Sequence, residues 1–452
     1  MNIIDLNRNG GIGCNSMFIE IGPFRLLIDS GLDPKTAGLE ATPEFSKVPE
    51  SSIDFIILTH CHLDHLGSLP LAALRNPLAP IFMSKASAFL ANRMMRNSIN
   101  VMKRQREELG IHEYPLYTHK DLQEIESRYL AVDFGQTKTI RKGEDTLKLT
   151  LHRAGHVAGA VSVDIEFNHR KIFATGDILF TNLQTLKGAD VPQDKVDTMI
   201  IETTRGLTKR SPEKNRAAEK ERFISSIKHT LEKEGSCLIP VFALGRTQEV
   251  LSIIHKSFTQ GKIPKCPVFC SGMGLDLVSF FDRISKKTGQ VQFNKHILKE
   301  MGVKPTPRNL TPGKNPSSKG IYIVSSGMLV EHTPSYKLAA SMLGHPTNTI
   351  LFVGYCDPET PGGELLEANQ GDDFLFKVLE FSTKIKAKIE KFDMSGHADR
   401  EEILALTIQK DPRVVVLTHG DQGARDWFKE QLNERLPNTE VLDPVPLSEY
   451  TV

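Results

Sequence analysis

The segment Thr-His-Cys-His-Leu-Asp-His-Leu-Gly at residues 59–67 limits what this chain can fold into more than any other part of the sequence. It follows the apolar run 53–58 and places four potential metal ligands within six residues: His60, His62, Asp64 and His65. Imidazole and carboxylate groups are natural ligands of zinc and similar divalent ions. The pattern predicts a metal site at the end of a buried strand, with the first two histidines facing one ion and the last two ligands turned towards a second.

Further strand-like runs end in polar side chains of the same kinds. The residues at these ends are Asp29, His156, Asp177, Glu202 and His419. Taken singly, each is compatible with an ordinary turn residue. Together they indicate one site built from strand ends and loops on a rigid sheet, which is the usual way in which proteins hold functional groups.

The length and the changing texture of the chain predict more than one domain. A chain of 452 residues is too long for one ordinary core. The first 200 residues are rich in short strands, whereas buried-strand runs between about 237 and 353 alternate with helical stretches. That alternation predicts βαβ units and a mainly parallel sheet. Near residue 389 the chain returns to strands that end in polar residues.

Composition and cysteine usage exclude several classes of protein. Hydrophobic residues make up 39% and charged residues 25%, which fits a globular chain. No signal peptide and no membrane span are expected, and the few cysteines favour a reducing cytoplasm. Cys266 and Cys270 flank a strand-like stretch and are predicted to be buried thiols rather than a metal pair. A net charge of +1 argues against a strongly basic nucleic-acid binder but leaves room for a local basic cleft.

The H-x-H-x-D-H pattern at 60–65, followed in order by the other strand-end residues, resembles the metallo-β-lactamase superfamily. The resemblance implies two divalent ions, zinc first and manganese or magnesium as alternatives. It assigns one ion to His60, His62 and His156, and the other to Asp64, His65 and His419. Asp177 would bridge both ions, and Asp29 would orient the ligand histidines. Two ions about 3.5–4 Å apart can activate water and clamp the attacking and leaving oxygens of a phosphoryl group.

The segment from 202 to 419 resembles the β-CASP group of nucleases, most closely the cleavage and polyadenylation endonuclease type and its bacterial relatives. Three motif positions carry the resemblance: Glu202, His397 and His419. Segments 239–246, 325–329 and 352–355 also look like that group. The resemblance implies an αββα metallo-β-lactamase sandwich, residues 1–204 and 390–452, interrupted by a β-CASP domain at 205–389. It implies that His397 protonates the leaving oxygen and that Glu202 holds its ring, so that Asp64, His397 and Glu202 carry the chemistry.

The resemblance predicts a nuclease that hydrolyses single-stranded RNA in a cleft between the two domains. His419 favours RNA, because DNA-repair members of the group tend to carry valine there. Residues predicted to contact the substrate are Arg246, Ser325, Ser326 and Ser395. A DNA exonuclease or repair nuclease, a non-catalytic scaffold of RNA processing and a small-molecule thioesterase are the alternatives. The sequence does not distinguish an endonuclease from a 5′ exonuclease and does not predict the oligomeric state.

Overall fold

The computed structural model describes residues 1–452, with Pro212 described by its backbone only. The chain divides into two compact units. Unit 1 comprises Met1–Asn182, Gly188–Lys209 and His397–Val452, and unit 2 comprises Leu183–Lys187 and Arg210–Gly396. The family boundaries at 204/205 and 389/390 stay a prediction.

The strands of unit 1 form two sheets. Those of the first sheet are β1 (Asn2–Asp5), β2 (Met17–Ile21), β3 (Phe24–Ile28), β4 (Phe55–Ile57), β5 (Ile81–Ser84), β6 (Tyr129–Val132) and β21 (Glu449–Thr451), in the order β21-β1-β2-β3-β4-β5-β6. Those of the second are β7 (Thr137–Lys142), β8 (Asp145–Arg153), β9 (Val161–Phe167), β10 (Arg170–Ala174), β11 (Thr198–Glu202), β19 (Val414–Thr418) and β20 (Glu440–Leu442), in the order β20-β19-β11-β10-β9-β8-β7.

The two sheets of unit 1 pack face to face around one apolar core. Inward side chains such as Leu26 and Phe55 of the first sheet meet Leu149, Val163 and Val416 of the second, and all five are buried. The alternation of inward and outward residues along each strand produces this arrangement, because side chains of a strand point to opposite faces in turn.

Helices cover the outer faces of both sheets. Those of unit 1 are α1 (Leu63–Leu66), α2 (Leu69–Arg75), α3 (Lys85–Leu109), α4 (His119–Glu126), α11 (Arg400–Lys410) and α12 (Gln422–Arg435). Helix α3 lies against β5 and β6. On the second sheet, Leu404 of α11 and Phe428 of α12 join Met199 and Leu417 in a second core cluster. The result is the αββα layer order predicted from the sequence.

Unit 2 is a parallel sheet flanked by helices. Its strands are β12 (Cys237–Pro240), β13 (Val268–Ser271), β14 (Ile321–Val324), β15 (Thr349–Phe352) and β18 (Lys388–Lys391), in the order β13-β14-β12-β15-β18, with a separate hairpin of β16 (Asp373–Phe376) and β17 (Phe381–Lys384). Its helices are α5 (Arg216–Glu232), α6 (Arg246–Thr259), α7 (Met273–Thr288), α8 (His296–Glu300), α9 (Pro334–Met342) and α10 (Pro361–Glu367). The βαβ prediction for this region is therefore confirmed, whereas the hairpin was not anticipated.

Short 3₁₀ helices complete the assignment. They span Gly38–Ala41, Phe45–Lys47, Pro212–Lys214 and Lys377–Leu379. Within the described part of the chain, none of the helices has the length and apolar character required to cross a bilayer.

Candidate metal centre

The central cluster lies where β4 ends and the chain turns into the single helical turn α1. His60 and His62 belong to the connecting segment, and His62 is still extended, with φ −72° and ψ 155°, as it caps α1. Asp64 and His65 lie on that helical turn. The change from extended to helical backbone gives the two pairs of side chains different directions, and their division between two ions stays a prediction.

The first group of donors comprises the side chains of His60, His62 and His156. Nδ1 of His62 lies 3.1 Å from Nε2 of His60 and 3.0 Å from Nε2 of His156. Asp177 completes the group, with Oδ2 at 3.7 Å from Nε2 of His60 and 3.5 Å from Nε2 of His156. Three imidazoles and a carboxylate converging in this way form a ligand set suited to a divalent ion.

The second group comprises Asp64, His65 and His419. Oδ2 of Asp64 lies 3.6 Å from Nε2 of His65 and 3.3 Å from Nε2 of His419. Oδ1 of Asp177 lies 3.5 Å from Nε2 of His65. The carboxylate of Asp177 therefore approaches the first group with its Oδ2 and the second group with its Oδ1.

Asp177 provides the test of whether these residues fit a pair of metal ions. Its side chain is 3% exposed, and among the described residues its Oδ1 has no hydrogen-bond partner. A buried carboxylate oxygen without a hydrogen bond is costly, and metal coordination is one of the ordinary ways to compensate it. The donor set therefore fits divalent ions in both groups, with Asp177 between them, and the assignment of each ligand to an ion stays a prediction.

Groups behind the ligands fix their ring orientations. Oδ2 of Asp29 lies 2.7 Å from Nδ1 of His65, so Nε2 of that ring points into the centre. Oδ1 and Oδ2 of Asp29 also accept hydrogen bonds from the backbone N–H and hydroxyl of Thr59, at 2.7 and 2.6 Å. Gly155 permits the turn that delivers His156: its φ is +78°, and a Cβ there would lie 2.3 Å from the carbonyl oxygen of Leu179.

The electrostatics of the centre act in opposite directions on His60 and His65. Burial, together with the rings of His65 and His62, holds the pKa of His60 well below its ordinary value. Burial also disfavours the charge on His65, but the carboxylates of Asp177, Asp64 and Asp29 outweigh it and raise the pKa of His65. Burial opposes ionisation of Asp64, yet His65 and the contact with His419 hold the pKa of that carboxyl below its usual range.

A hydrogen-bonded acid–histidine pair lies beside the ligands. Oε2 of Glu202 lies 2.7 Å from Nδ1 of His397, and Nε2 of the same ring lies 4.0 Å from Oδ2 of Asp177. Burial lowers the pKa of His397, whereas the negative neighbours Glu202 and Asp177 raise it. The effect of the negative neighbours is the larger, so the pKa lies above its ordinary value. Although Glu202, His397, Asp177 and His419 could also be grouped as metal ligands, the contact between Glu202 and Nδ1 of His397 is that of a hydrogen-bonded pair.

The residues predicted to contact the substrate all lie in unit 2. Arg246 is the first residue of α6, and burial together with the nearby Arg216 lowers its pKa to about 9. Ser325 and Ser326 follow β14, and the Oγ of Ser326 accepts a hydrogen bond from the backbone N–H of Val330 at 2.9 Å. The carbonyl oxygen of Ser395 accepts a hydrogen bond from Arg216 at 2.7 Å. Their contact with RNA stays a prediction.

Sequence reasoning missed the hydroxyl and amide groups that contact the ligands. The hydroxyls of Thr59 and Thr204 lie 3.2 and 2.8 Å from Nδ1 of His60 and His419, respectively. The amide nitrogen of Asn15 lies 3.3 Å from Nε2 of His65. The one signal in the sequence that could have indicated these threonines was their closeness to candidate site residues. Thr59 immediately precedes the histidine cluster, and Thr204 follows Glu202 by two residues. Cys266 and Cys270 are free thiols, partly and fully buried, and belong to none of the candidate metal groups in the described chain.

The αββα fold and the paired histidine–carboxylate groups define a metal-binding hydrolase scaffold of the metallo-β-lactamase type. Family models match three successive parts of the chain: the metallo-beta-lactamase superfamily at residues 9–222, the Beta-Casp domain at 247–365, and the Zn-dependent metallo-hydrolase RNA specificity domain at 382–442. The chain belongs to the metallo-β-lactamase superfamily, in its β-CASP group of RNA nucleases. The fold, the nuclease class and the binding of divalent metal predicted from the sequence are thereby confirmed.

Known proteins resemble the chain over almost its whole length. An RNase J-like protein of Methanocaldococcus jannaschii is 28% identical over 429 residues, which cover 92% of each chain. The transcription termination factor FttA of the same organism is 26% identical and aligns with 93% of this chain and 68% of its own length. A protein of unknown function from Enterococcus faecalis V583 has a crystal structure that matches with a TM-score of 0.54 at 13% identity, covering 100% of this chain and 99% of that chain, which supports the fold alone.

Proposed function

We propose that this nuclease hydrolyses phosphodiester bonds of single-stranded RNA with two divalent ions. One ion would be held by His60, His62 and His156 and the other by Asp64, His65 and His419, with Asp177 contributing to both. The observation that carries the proposal is the convergence of these two donor groups on the two oxygens of one buried aspartate. A single structural ion needs only one set of ligands, so a second group of ligands beside it indicates a second ion.

Bound ions would supply a nucleophile from water near neutral pH and would neutralise charge that develops on the phosphoryl oxygens. The chain supplies the proton for the leaving group. His397 is suited to that role because Glu202 bonds to its Nδ1 and favours the protonated ring. Its side chain is 17% exposed, so the ring is accessible from outside the centre, unlike the buried ring of His60.

RNA is favoured as the substrate by the similarity of the chain to proteins that act on RNA. The match at 382–442 is to an RNA specificity domain, and one relative that aligns along 92% of its length is named an RNase J-like protein. In the nuclease group that the sequence resembles, a histidine at this motif position accompanies RNA substrates. In this chain the position is His419, and its Nε2 lies towards Asp64. Arg246 in unit 2 is the favoured phosphate contact, since guanidinium groups pair well with phosphate.

Zinc is the proposed ion because imidazole supplies three of the four donor side chains of the first group and two of the four of the second, counting Asp177 in both. Manganese and magnesium are the alternatives, and reconstitution of metal-free protein with each ion separately distinguishes them. We place the enzyme in a reducing cytoplasm, in agreement with its unpaired cysteines.

The function is tested by incubating the purified protein with 5′-labelled and 3′-labelled RNA and with DNA of the same sequence, each with and without a chelator. We expect cleavage of single-stranded RNA that the chelator abolishes and that added zinc restores. Internal fragments would identify an endonuclease, and mononucleotides released from the 5′ end would identify a 5′ exonuclease. Faster cleavage of DNA than of RNA would favour the repair-nuclease alternative, and cleavage by fully metal-free protein would refute the mechanism.

A further inference from the structure

The hydroxyl of Thr204 contacts both halves of the candidate site. Its Oγ1 lies 2.5 Å from Oε2 of Glu202 and 2.8 Å from Nδ1 of His419. Glu202 belongs to the acid–histidine pair, whereas His419 belongs to a metal-ligand group, so one hydroxyl connects two functions. The contact is possible because β11 and β19 are parallel neighbours with Glu202 paired to Thr418.

The number of protons fixes the direction of these hydrogen bonds. Oε2 of Glu202 also faces Nδ1 of His397 at 2.7 Å, and Oε1 accepts from the backbone N–H of Ile178 at 2.6 Å. A carboxyl group surrounded by donors on both oxygens is a carboxylate acceptor. Its 2.5 Å contact is shorter than the 3.1 Å from the Thr204 hydroxyl to the carbonyl oxygen of His419, so the carboxylate is the favoured acceptor of the single hydroxyl proton. The hydroxyl oxygen can then only accept from His419, which requires the proton of that ring to be on Nδ1.

This proton on Nδ1 decides which nitrogen of His419 is available to a metal. A neutral imidazole with Nδ1–H has its lone pair on Nε2. Nε2 lies 3.3 Å from Oδ2 of Asp64, within the second donor group, whereas Nδ1 faces the Thr204 hydroxyl at 2.8 Å and Oδ1 of Asp177 at 3.5 Å. The opposite tautomer would direct an N–H into that group and would prevent coordination.

The same arrangement occurs a second time in the centre, with different residues. The hydroxyl of Thr59 donates to Oδ2 of Asp29 at 2.6 Å and lies 3.2 Å from Nδ1 of His60. Asp29 in turn contacts Nδ1 of His65 at 2.7 Å, and its other oxygen accepts a backbone N–H, that of Thr59, at 2.7 Å. In both cases a carboxylate holds one histidine directly and a second histidine through a threonine hydroxyl.

We propose that Thr204 is a positioning residue that holds His419 in its Nδ1–H tautomer and thereby completes the second metal site. The proposal rests on the proposed function for the identity of His419 as a ligand. Groups behind the ligands of metal sites typically change metal affinity by about 10–100-fold when they are removed. Thr204 lies outside the candidate metal-ligand groups of the described chain.

The direct test measures zinc affinity without any RNA. In Thr204→Val, which keeps the shape and removes the hydroxyl, we expect one of the two zinc-binding steps to lose about 10–100-fold in affinity in a titration against a competing chelator. The other step should not change. Thr204→Ser, which keeps the hydroxyl, should restore the affinity. Unchanged zinc binding at both sites in a folded Thr204→Val protein would overturn the proposal.

Thr203→Val is the matched control. Its hydroxyl is buried on the same loop, but it donates to the carbonyl oxygen of Thr418 at 3.0 Å rather than contacting a ring. If Thr203→Val weakens zinc as much as Thr204→Val does, general disturbance of the loop explains the loss and the proposal fails.

A second measurement uses the unsubstituted protein and so does not depend on how the variants fold. Long-range ¹H–¹⁵N NMR of the zinc-loaded protein with ¹⁵N-labelled histidine distinguishes the two tautomers, with His419→Asn for assignment. We expect His419 protonated on Nδ1 and coordinated through Nε2. Coordination through Nδ1, or a proton on Nε2, would refute the assignment whatever the variants do.

The steady-state rates separate this proposal from the proposed function. At saturating zinc, Thr204→Val should lower kcat with little change in KM for RNA, because Thr204 acts through groups that work in the transition state. A protein that binds two zinc ions and shows the expected Thr204 dependence, but cleaves no RNA, would contradict the proposed substrate and leave the positioning role intact.

Discussion

Replacement of Glu202 by glutamine tests whether His397 is the general acid. The change removes a negative charge next to His397, whose Nδ1 lies 2.7 Å from Oε2 of Glu202, and keeps the shape of the side chain. Since this carboxylate raises the pKa of His397, its loss should lower that pKa. A general acid works only while it is protonated, so the basic limb of the kcat profile should move to lower pH.

The size of the shift follows from the contact itself. A hydrogen bond to a charged group contributes about 1.5–3 kcal/mol and a neutral one about 0.5–1.5 kcal/mol. The difference of about 1–1.5 kcal/mol corresponds to about one pH unit. The Coulomb attraction of the two charges adds to this effect, because Glu202 is buried and its Oε2 lies only 2.7 Å from Nδ1 of His397, so about one pH unit is a lower bound. We therefore expect the basic limb to move down by about one pH unit or more.

The assay is single-strand RNA cleavage measured from pH 5 to pH 10 at saturating zinc, with metal content determined in parallel. Asp164→Asn is the matched control, because Asp164 also faces a histidine of unit 1, with Oδ2 at 3.7 Å from Nε2 of His152, outside the metal centre. It should leave the limb in place. If the basic limb of the pH profile does not move in Glu202→Gln, or moves to higher pH, His397 is not the proton donor.

The remaining predictions concern the ligands, the acid, the substrate contact and one glycine. Elemental analysis should find about two divalent ions per chain, and Asp64→Ala and His65→Ala should each lose mainly one of them; loss of neither would exclude the second site. His397→Ala should keep both ions and lower kcat by about 10²–10⁴-fold, whereas an emptied metal site would make it a ligand. Arg246→Gln should raise KM for RNA and reduce the salt dependence of binding, because a phosphate contact is lost; an unchanged salt dependence would remove it from the RNA path. Gly155→Ala should lower the free energy of unfolding, as measured by denaturant titration, by at least the roughly 1–3 kcal/mol of the positive φ, because the added Cβ would also lie 2.3 Å from the carbonyl oxygen of Leu179; full stability would contradict both arguments.

The sequence alone was sufficient to predict the family, the layer order of the fold and the candidate metal ligands. The cluster at 59–67 is local, so its residues, their spacing and the apolar run before them are all visible in one stretch of chain. The alternation of strands and helices after 237 predicted the parallel sheet of unit 2 because local periodicity reports burial. The hairpin β16–β17 escaped notice because its strands are only four residues long and carry few turn signals.

Only the tertiary structure decided how distant residues act on one another. Thr204 and His419 are 215 positions apart, and nothing near either residue announces their contact. The parallel pairing of β11 with β19 brings them together, and the left-handed conformation of His419, with φ 49°, turns its ring towards both Thr204 and Asp64. A motif shows which side chains are present, whereas the proton positions that make them ligands or acids depend on hydrogen bonds between strands, and those exist only once the sheet has formed.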